Sequence, residues 1–248
     1  FNHNTAYDLG GRLVGSEMCI RDRYGADGTP GVYHDIRPVW NDTNFRDIAA
    51  HIRSKLFLCH IRASSGAEVV RANCHPFRHE NWIFQHNGEI NGFGRIRHAL
   101  VSRIDPAIFA TMRGATDTET MFQLALTFGF MESPKQGIQR MIEAVEEERE
   151  AAGIEDPFMM TIAASNGTSL YAYRYASFGE PPSLYHSTSE AALQEASGQT
   201  YALPKDSVLI VSEPLDTVSK HWKAVPPSSA LELSLIHISE PTRRTPIS

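Results

Sequence analysis

The chain has 248 residues, a hydrophobic content of 42%, a charged content of 21% and a formal net charge of -6. These values are typical of an ordinary globular domain, and a negative chain with no basic segment lacks the electrostatic footprint of a nucleic-acid-binding protein. No apolar stretch is long enough to cross a bilayer.

The cysteine content predicts a reducing compartment. Cys19, Cys59 and Cys74 are too few, and odd in number, for a disulfide framework. No pair has the spacing of a zinc ribbon or a redox Cys-x-x-Cys motif. We therefore expect a cytoplasmic protein, and the polar residues 1–4 show no secretory leader. Because the sequence starts at Phe1, we also expect that the initiator methionine is not included.

Both ends of the chain differ from its middle. Residues 1–23 show neither helical nor strand periodicity. Within them, Val14–Arg23 resembles translated sequencing-adaptor sequence, and so does Leu233–Ser248. We therefore predict a domain over residues 24–232, flanked by non-native or truncated sequence at 1–23 and a non-native tail at 233–248.

Apolar periodicity places helices and strands in separate blocks. It predicts helices over residues 42–54, 92–102, a stretch capped by Thr116 or Asp117, and 134–152, whose Glu146–Glu150 run is expected to be a solvated face. Predicted strands cover residues 55–61, 82–85, 158–164, 169–175, 183–187 and 207–212. The strand at 82–85 is expected to be the neighbour of the strand at 55–61. Strands, then helices, then strands indicate an α+β domain of stacked layers.

Candidate chemistry concentrates between Cys59 and Ile90. Arg62 directly follows an apolar strand, and a guanidinium is a natural partner for a carboxylate. Asp117 at a helix start is either a simple cap or a carboxylate for an ammonium group. The Asn87-Gly88 dipeptide reads locally as a tight turn, and it offers a side-chain amide and a backbone N–H to an oxyanion.

The same stretch offers two other candidate sites. Four histidines, His60, His75, His79 and His86, lie near Cys59 and Cys74, which could suit a metal. Packed histidines are preferred, because neighbouring strand residues point to opposite faces and no ligand spacing recurs. Cys59 is expected to be a small buried hydrophobe. Cys74 beside His75 remains an alternative nucleophile.

Five ordered motifs then identify a family. The segments HIRASSG (60–66), NCHPF (73–77), FQHNGEI (84–90), TDTE (116–119) and SEPLD (212–216) resemble the class II glutamine amidotransferase domain, an N-terminal nucleophile hydrolase, in its stand-alone γ-glutamyl amidohydrolase branch. The resemblance implies a four-layer α-β-β-α sandwich and hydrolysis of glutamine or a γ-glutamyl amide through a cysteinyl acyl-enzyme, without metal or organic cofactor.

The resemblance also implies roles for particular residues. Arg62 would bind the substrate α-carboxylate and Asp117 its α-amino group, while Asn87 and Gly88 would form the oxyanion hole with support from His86.

The catalytic cysteine implied by the family is not found in this sequence. Family members use an N-terminal cysteine whose α-amino group acts as the base. Here Met18-Cys19 lies only five residues before Tyr24 and within adaptor-like sequence, so Cys19 is rejected. We therefore expect an inactive truncated amidohydrolase, with a non-catalytic amino-acid-binding or regulatory module as the alternative. A small-molecule substrate is expected, and a homo-oligomer or a synthetase partner is left open.

Overall fold

The computed structural model describes residues 16–24, 28–36, 41–51, 54–63, 68, 70–197, 206–234 and 243–246. Its strands are β1 Ser16–Tyr24, β2 Pro30–Asp35, β3 Leu58–Ala63, β4 Phe77–His79, β5 Trp82–Ile90, β6 Phe158–Ser165, β7 Ser169–Ala176, β8 Tyr185–Ser187, β9 Ile210–Val211, β10 Trp222–Ala224, β11 Ser229–Ser234 and β12 Arg243–Pro246. Its helices are α1 Thr43–His51, α2 Phe93–Ser102, α3 Pro106–Phe109, α4 Asp117–Thr127, α5 Pro134–Ala151 and α6 Glu190–Ala196.

The described strands form three antiparallel sheets. The largest has the order β12-β11-β7-β6-β5-β4, and a second has the order β2-β1-β3. A small third sheet, β10-β8-β9, lies in the C-terminal part of the chain. The prediction that residues 82–85 pair with the strand before Arg62 is wrong, because β3 pairs with β1 whereas β5 pairs with β4 and β6.

Side-chain alternation along the strands builds four layers. Phe84 of β5 packs with Phe122 of α4 in the main core, at 4.8 Å between ring centroids. The preceding residue, Ile83, packs on the opposite face against Leu58 of β3. On β2, Val32 joins that inter-sheet cluster while Tyr33 packs on Phe45 of α1. The order is therefore helices, sheet, sheet, helix, which confirms the predicted four-layer α-β-β-α sandwich.

The four predicted helices all form, with one error in their burial. Thr116 caps α4 by accepting a hydrogen bond from the Glu119 N–H at 3.1 Å. In α5, Ile138 and Met141 are buried as expected, but the Glu146–Glu150 run is not purely a solvated face. Arg149 is only 3% exposed, where it pairs with Glu146 and reaches the Asp156 carbonyl oxygen.

The flanks and the C-terminal part contain elements that the sequence did not predict. The sequence pattern of residues 1–23 predicts no helix or strand, yet the backbone of Ser16–Tyr24 forms β1. Helix α6 and strands β10 and β11 were also missed. Whether the two ends are foreign sequence remains a prediction.

Candidate functional site

A cleft of about 980 Å³ opens where the end of β5 meets the first turn of α4. Its walls come from the end of β5, the start of α2, the loop before α4, Glu68, the segment 70–75 and strand β3. Among the predicted site residues, His86, Asn87, Gly88 and Asp117 all line it. The structure thus brings together groups that lie up to 31 positions apart in the sequence.

Asn87 and Gly88 lie inside a strand, and the prediction of a tight turn there is wrong. Asn87 pairs with Thr161 and Gly88 with Met160 on β6, so the ladder continues to Ile90. Gly88 has φ +136, and a Cβ there would lie 2.1 Å from the Met159 carbonyl oxygen. Glycine is therefore required for the close approach of β5 and β6 at this point.

The N–H groups on one edge of β5 face away from β6. The Ile90 N–H donates to Asp117 Oδ2 at 3.1 Å, which places this group on the α4 side of the strand. Because N–H directions alternate along a strand, the Gly88 N–H lies on the same edge. The exposed side-chain amide of Asn87, next to it, makes no hydrogen bond with any residue that the structure describes.

Asp117 is the first residue of α4 and is half-buried in the cleft wall. Its Oδ1 accepts the Thr118 N–H at 2.7 Å, and its Oδ2 accepts the Ile90 N–H at 3.1 Å. These bonds fix the carboxylate at the positive end of the helix, where negative charge is favourable. Asp117 is therefore more than a cap, because the Thr116 side chain takes that role.

His86 lies beneath the Asn87-Gly88 pair and is 3% exposed. Its Nδ1 is 3.0 Å from Thr118 Oγ1, and its Nε2 has no hydrogen-bond partner among the described residues. Burial lowers the pKa of His86, and this outweighs the opposing effects of the Asp117 charge and the Met159 carbonyl. His86 is thus a neutral buried support for the strand end near pH 7.

The predicted role of Arg62 is not addressed by the structure. Its backbone lies in β3, whereas its side chain lies outside the described part of the chain. Two other arginines, which the sequence did not single out, do line the cleft: Arg97 on α2 and Arg113 before α4. Neither guanidinium makes a hydrogen bond or ion pair within the described ranges, although both charges act to lower the pKa of the Glu119 carboxyl.

Two buried side chains that the sequence did not single out hold the loop before Asp117 through hydrogen bonds to its backbone. Glu119 accepts the backbone N–H groups of Arg113 at 2.7 Å and Gly114 at 2.6 Å, while Asn73 Oδ1 accepts the Ala115 N–H at 3.0 Å. Burial raises the pKa of Glu119 despite those backbone bonds. The Thr116-x-x-Glu119 capping pattern was a sequence signal for this residue.

Neither Cys59 nor Cys74 lines the cleft. Cys59 is exposed, so the prediction that it is buried is wrong. Cys74 is fully buried, and its thiol faces the backbone carbonyls of Asp35 and Val70 at 3.8 and 3.7 Å. Cys19 lies within β1 between β2 and β3, so its nitrogen is a peptide nitrogen.

Two of the histidines on this stretch pack against each other, and one of them also packs against an aromatic ring. His60 and His75 lie 4.1 Å apart between ring centroids, and His75 packs edge-on against Phe77 at 5.2 Å. Within the described ranges, no group of three or more His, Cys, Asp or Glu residues could hold a metal ion. Likewise, none of the described helices is long and apolar enough to cross a membrane.

The SEPLD motif stabilises the C-terminal part of the fold. Asp216 accepts hydrogen bonds from His221 Nδ1 at 2.7 Å and Trp222 Nε1 at 2.9 Å. Burial raises the pKa of Asp216, but the hydrogen bonds from His221, Trp222 and Val218 outweigh it and hold the pKa below its ordinary value. His221, 2% exposed, also contacts Glu195 of α6 at 3.1 Å.

Comparison with known proteins decides the family. The model of the class II glutamine amidotransferases matches residues 37–236. The chain belongs to the class II glutamine amidotransferases. The chain is 27% identical over 230 residues to the probable glutamine amidotransferase DUG3 of Saccharomyces cerevisiae, a match that covers 82% of the chain and 64% of the yeast protein. The chain therefore spans less than two thirds of that relative's length.

Further relatives agree with this assignment. A gamma-glutamyl-hercynylcysteine sulfoxide hydrolase of Mycolicibacterium smegmatis is 24% identical over 244 residues, with coverage of 92% of the chain and 88% of the relative. A class II glutamine aminotransferase domain protein of Silicibacter pomeroyi is 32% identical with a TM-score of 0.75, and coverage is 91% and 89%. The chain also shares its fold with the glutamine phosphoribosylpyrophosphate amidotransferase of Bacillus subtilis, at 14% identity, a TM-score of 0.62 and coverage of 98% and 45%.

Proposed function

We propose that the cleft binds the glutamyl group of glutamine or of a γ-glutamyl amide, and that the parent protein hydrolyses this amide to glutamate. The observation that carries the proposal is the position of Asp117 relative to Asn87 and Gly88. The Asp117 carboxylate accepts a hydrogen bond from the Ile90 N–H. Ile90 lies two residues beyond Gly88, so the N–H groups of these two residues are roughly 7 Å apart along the strand. That span suits an extended glutamyl group with its hydrogen bonds.

In this proposal each group has one role. Asp117 accepts the α-ammonium group, and Arg62 binds the α-carboxylate. The Asn87 amide and the Gly88 N–H donate to the γ-carbonyl oxygen as it becomes an oxyanion. The cysteine α-amino group takes the thiol proton, the thiolate attacks the carbonyl carbon, and the α-ammonium group returns the proton to the amine as it leaves. The same α-amino group then takes a proton from the water that attacks the thioester and gives it to the departing thiolate, which yields glutamate and free thiol.

The nucleophile in this scheme is the N-terminal cysteine of a parent protein. Cys59 is exposed and does not line the cleft, whereas Cys74 is buried against backbone carbonyls. We therefore expect this chain to bind glutamyl compounds without hydrolysing them. The same observation favours the second candidate, an amino-acid-binding or regulatory module. A cytoplasmic location, a homo-oligomer and a synthetase partner remain predictions.

A glutamate-release assay separates the two candidates. The parent protein with its N-terminal cysteine should release glutamate from glutamine or γ-glutamylglycine, and its Cys→Ala variant should release none above background. Equal and negligible release by both forms, with glutamate binding retained, would instead favour the binding module.

A further inference from the structure

We propose that Thr118 is a positioning residue whose hydroxyl couples the ammonium-binding carboxylate to the oxyanion corner. This inference rests on the proposed function. Thr118 is 2% exposed, and its Oγ1 lies 3.0 Å from His86 Nδ1 and 3.4 Å from Asp117 Oδ1. One buried hydroxyl therefore stands between the two halves of the cleft.

The distances favour one direction for the hydroxyl proton. Thr118 has one O–H to donate, and the His86 nitrogen at 3.0 Å is closer than the Asp117 oxygen at 3.4 Å. Donation to Nδ1 requires that His86 carry its proton on Nε2. The Met159 carbonyl oxygen borders the same space as Nε2 without meeting hydrogen-bond geometry, so the Thr118 contact alone assigns the tautomer.

The tautomer matters because the imidazole supports Gly88. A Cβ on Gly88 would lie 2.9 Å from His86 Nε2, which shows how closely the ring underlies this residue. The Met159 carbonyl oxygen borders the same space. A ring held by Thr118 therefore fixes the backbone from which the Gly88 N–H projects, and the Thr118 N–H holds Asp117 at 2.7 Å.

Nitrogen NMR of the His86 ring and ligand binding test the coupling together. The protein is compared with Thr118→Val, which removes the hydroxyl at nearly constant volume, and with Thr118→Ser, which restores it. Thr120→Val is the matched control, because Thr120 is also buried in α4 but its hydroxyl donates to the Thr116 carbonyl at 3.0 Å. Affinities are measured for glutamate and for glutarate, which lacks the ammonium group.

We expect His86 to show the Nε2–H tautomer in the unsubstituted protein, in Thr118→Ser and in Thr120→Val, and a mixture in Thr118→Val. The preference for glutamate over glutarate should fall about 3- to 10-fold in Thr118→Val alone, the loss of one hydrogen bond. Unchanged ring shifts and an unchanged preference in Thr118→Val would overturn the inference. If the unsubstituted protein binds neither ligand, the proposed function fails, and the ring shifts alone decide whether Thr118 sets the tautomer.

Discussion

The Asp117 carboxylate accepts a hydrogen bond from the Ile90 backbone N–H at 3.1 Å, which joins the first turn of α4 to the last residue of β5. This bond places an anionic group beside the strand that carries Asn87 and Gly88. The two elements come from separate parts of the chain, and the cleft opens where they meet.

Replacing Asp117 should separate ligand binding from folding. Asp117→Asn removes the charge but keeps one acceptor oxygen, so glutamate affinity should fall roughly 10- to 100-fold through loss of a charge-assisted hydrogen bond. Glutarate affinity should not fall. Asp105→Asn is the matched control, because Asp105 also caps a helix, at 2.8 Å from the Ala107 N–H, but does not line the cleft. Calorimetric titration measures the glutamate and glutarate affinities of the two variants. Equal losses of glutamate affinity in Asp117→Asn and Asp105→Asn would contradict the assignment of Asp117 to the ammonium group.

Gly88 should resist even the smallest substitution. Gly88→Ala combines φ +136 with a Cβ only 2.1 Å from the Met159 carbonyl oxygen, so we expect a loss of about 3 kcal/mol or more in the free energy of unfolding. Gly94 also lines the cleft, but a Cβ there meets nothing within 4 Å. Gly94→Ala should be neutral or stabilise by up to about 1 kcal/mol, since it lies in helix α2. Denaturant unfolding compares the two, and similar stabilities would contradict this view of the strand.

The pKa of His86 predicts a loss of stability in mild acid. Burial lowers this pKa below its ordinary value of 6.5, so below that pH the unfolded chain binds a proton that the folded chain does not. Stability from this group is complete above pH 6.5 and falls as the pH drops below it, by at most about 1.4 kcal/mol per pH unit.

His34, whose pKa burial also lowers, adds to the same slope, whereas Glu119, whose pKa burial raises, opposes it. The slope of unfolding free energy against pH should therefore be compared between the unsubstituted protein and His86→Gln. The variant should show the shallower slope between pH 6.5 and 5. An identical slope would mean that His86 does not titrate differently in the two states.

Arg97 and Arg113 should contribute through charge. Each lines the cleft without an ion pair in the described ranges, so Arg97→Gln and Arg113→Gln should each weaken glutamate binding by about 2- to 5-fold at low salt and less at 0.5 M salt. Arg95→Gln is the control, because Arg95 lies on the same helix but outside the cleft lining and donates to the Ala152 carbonyl. A loss that is equal in Arg95→Gln, or independent of salt, would exclude a direct effect on the ligand.

Local signals in the sequence predicted helices α1, α2, α4 and α5 and the cap of α4. Thr116 caps α4, and the periodic helix from Pro134 was placed within one residue of its end at Ala151. The burial of Arg149 was not predicted, because its partners at Asp156 and Ser177 are set by the sheet on which α5 packs. Periodicity shows which face is apolar, but it does not show that a long charged side chain turns inward.

The wrong predictions for the strands arise because strands pair with partners that are far away in the sequence. The Asn87-Gly88 turn signal is local, and it was overridden by the ladder to β6, more than 70 residues away. Likewise, nearness in sequence suggested that β3 and β5 pair, although they face each other from different sheets. The family resemblance groups His86, Asn87, Gly88 and Asp117 in one site, and all four line one cleft. Their roles in that cleft stay predictions.

A crystal structure with bound L-glutamate tests the central claim most directly. The account predicts the α-ammonium group within hydrogen-bonding distance of the Asp117 carboxylate, and the γ-carboxylate within reach of the Asn87 amide and the Gly88 N–H. Glutamate bound away from this cleft, or a cleft left empty at saturating glutamate, would contradict it.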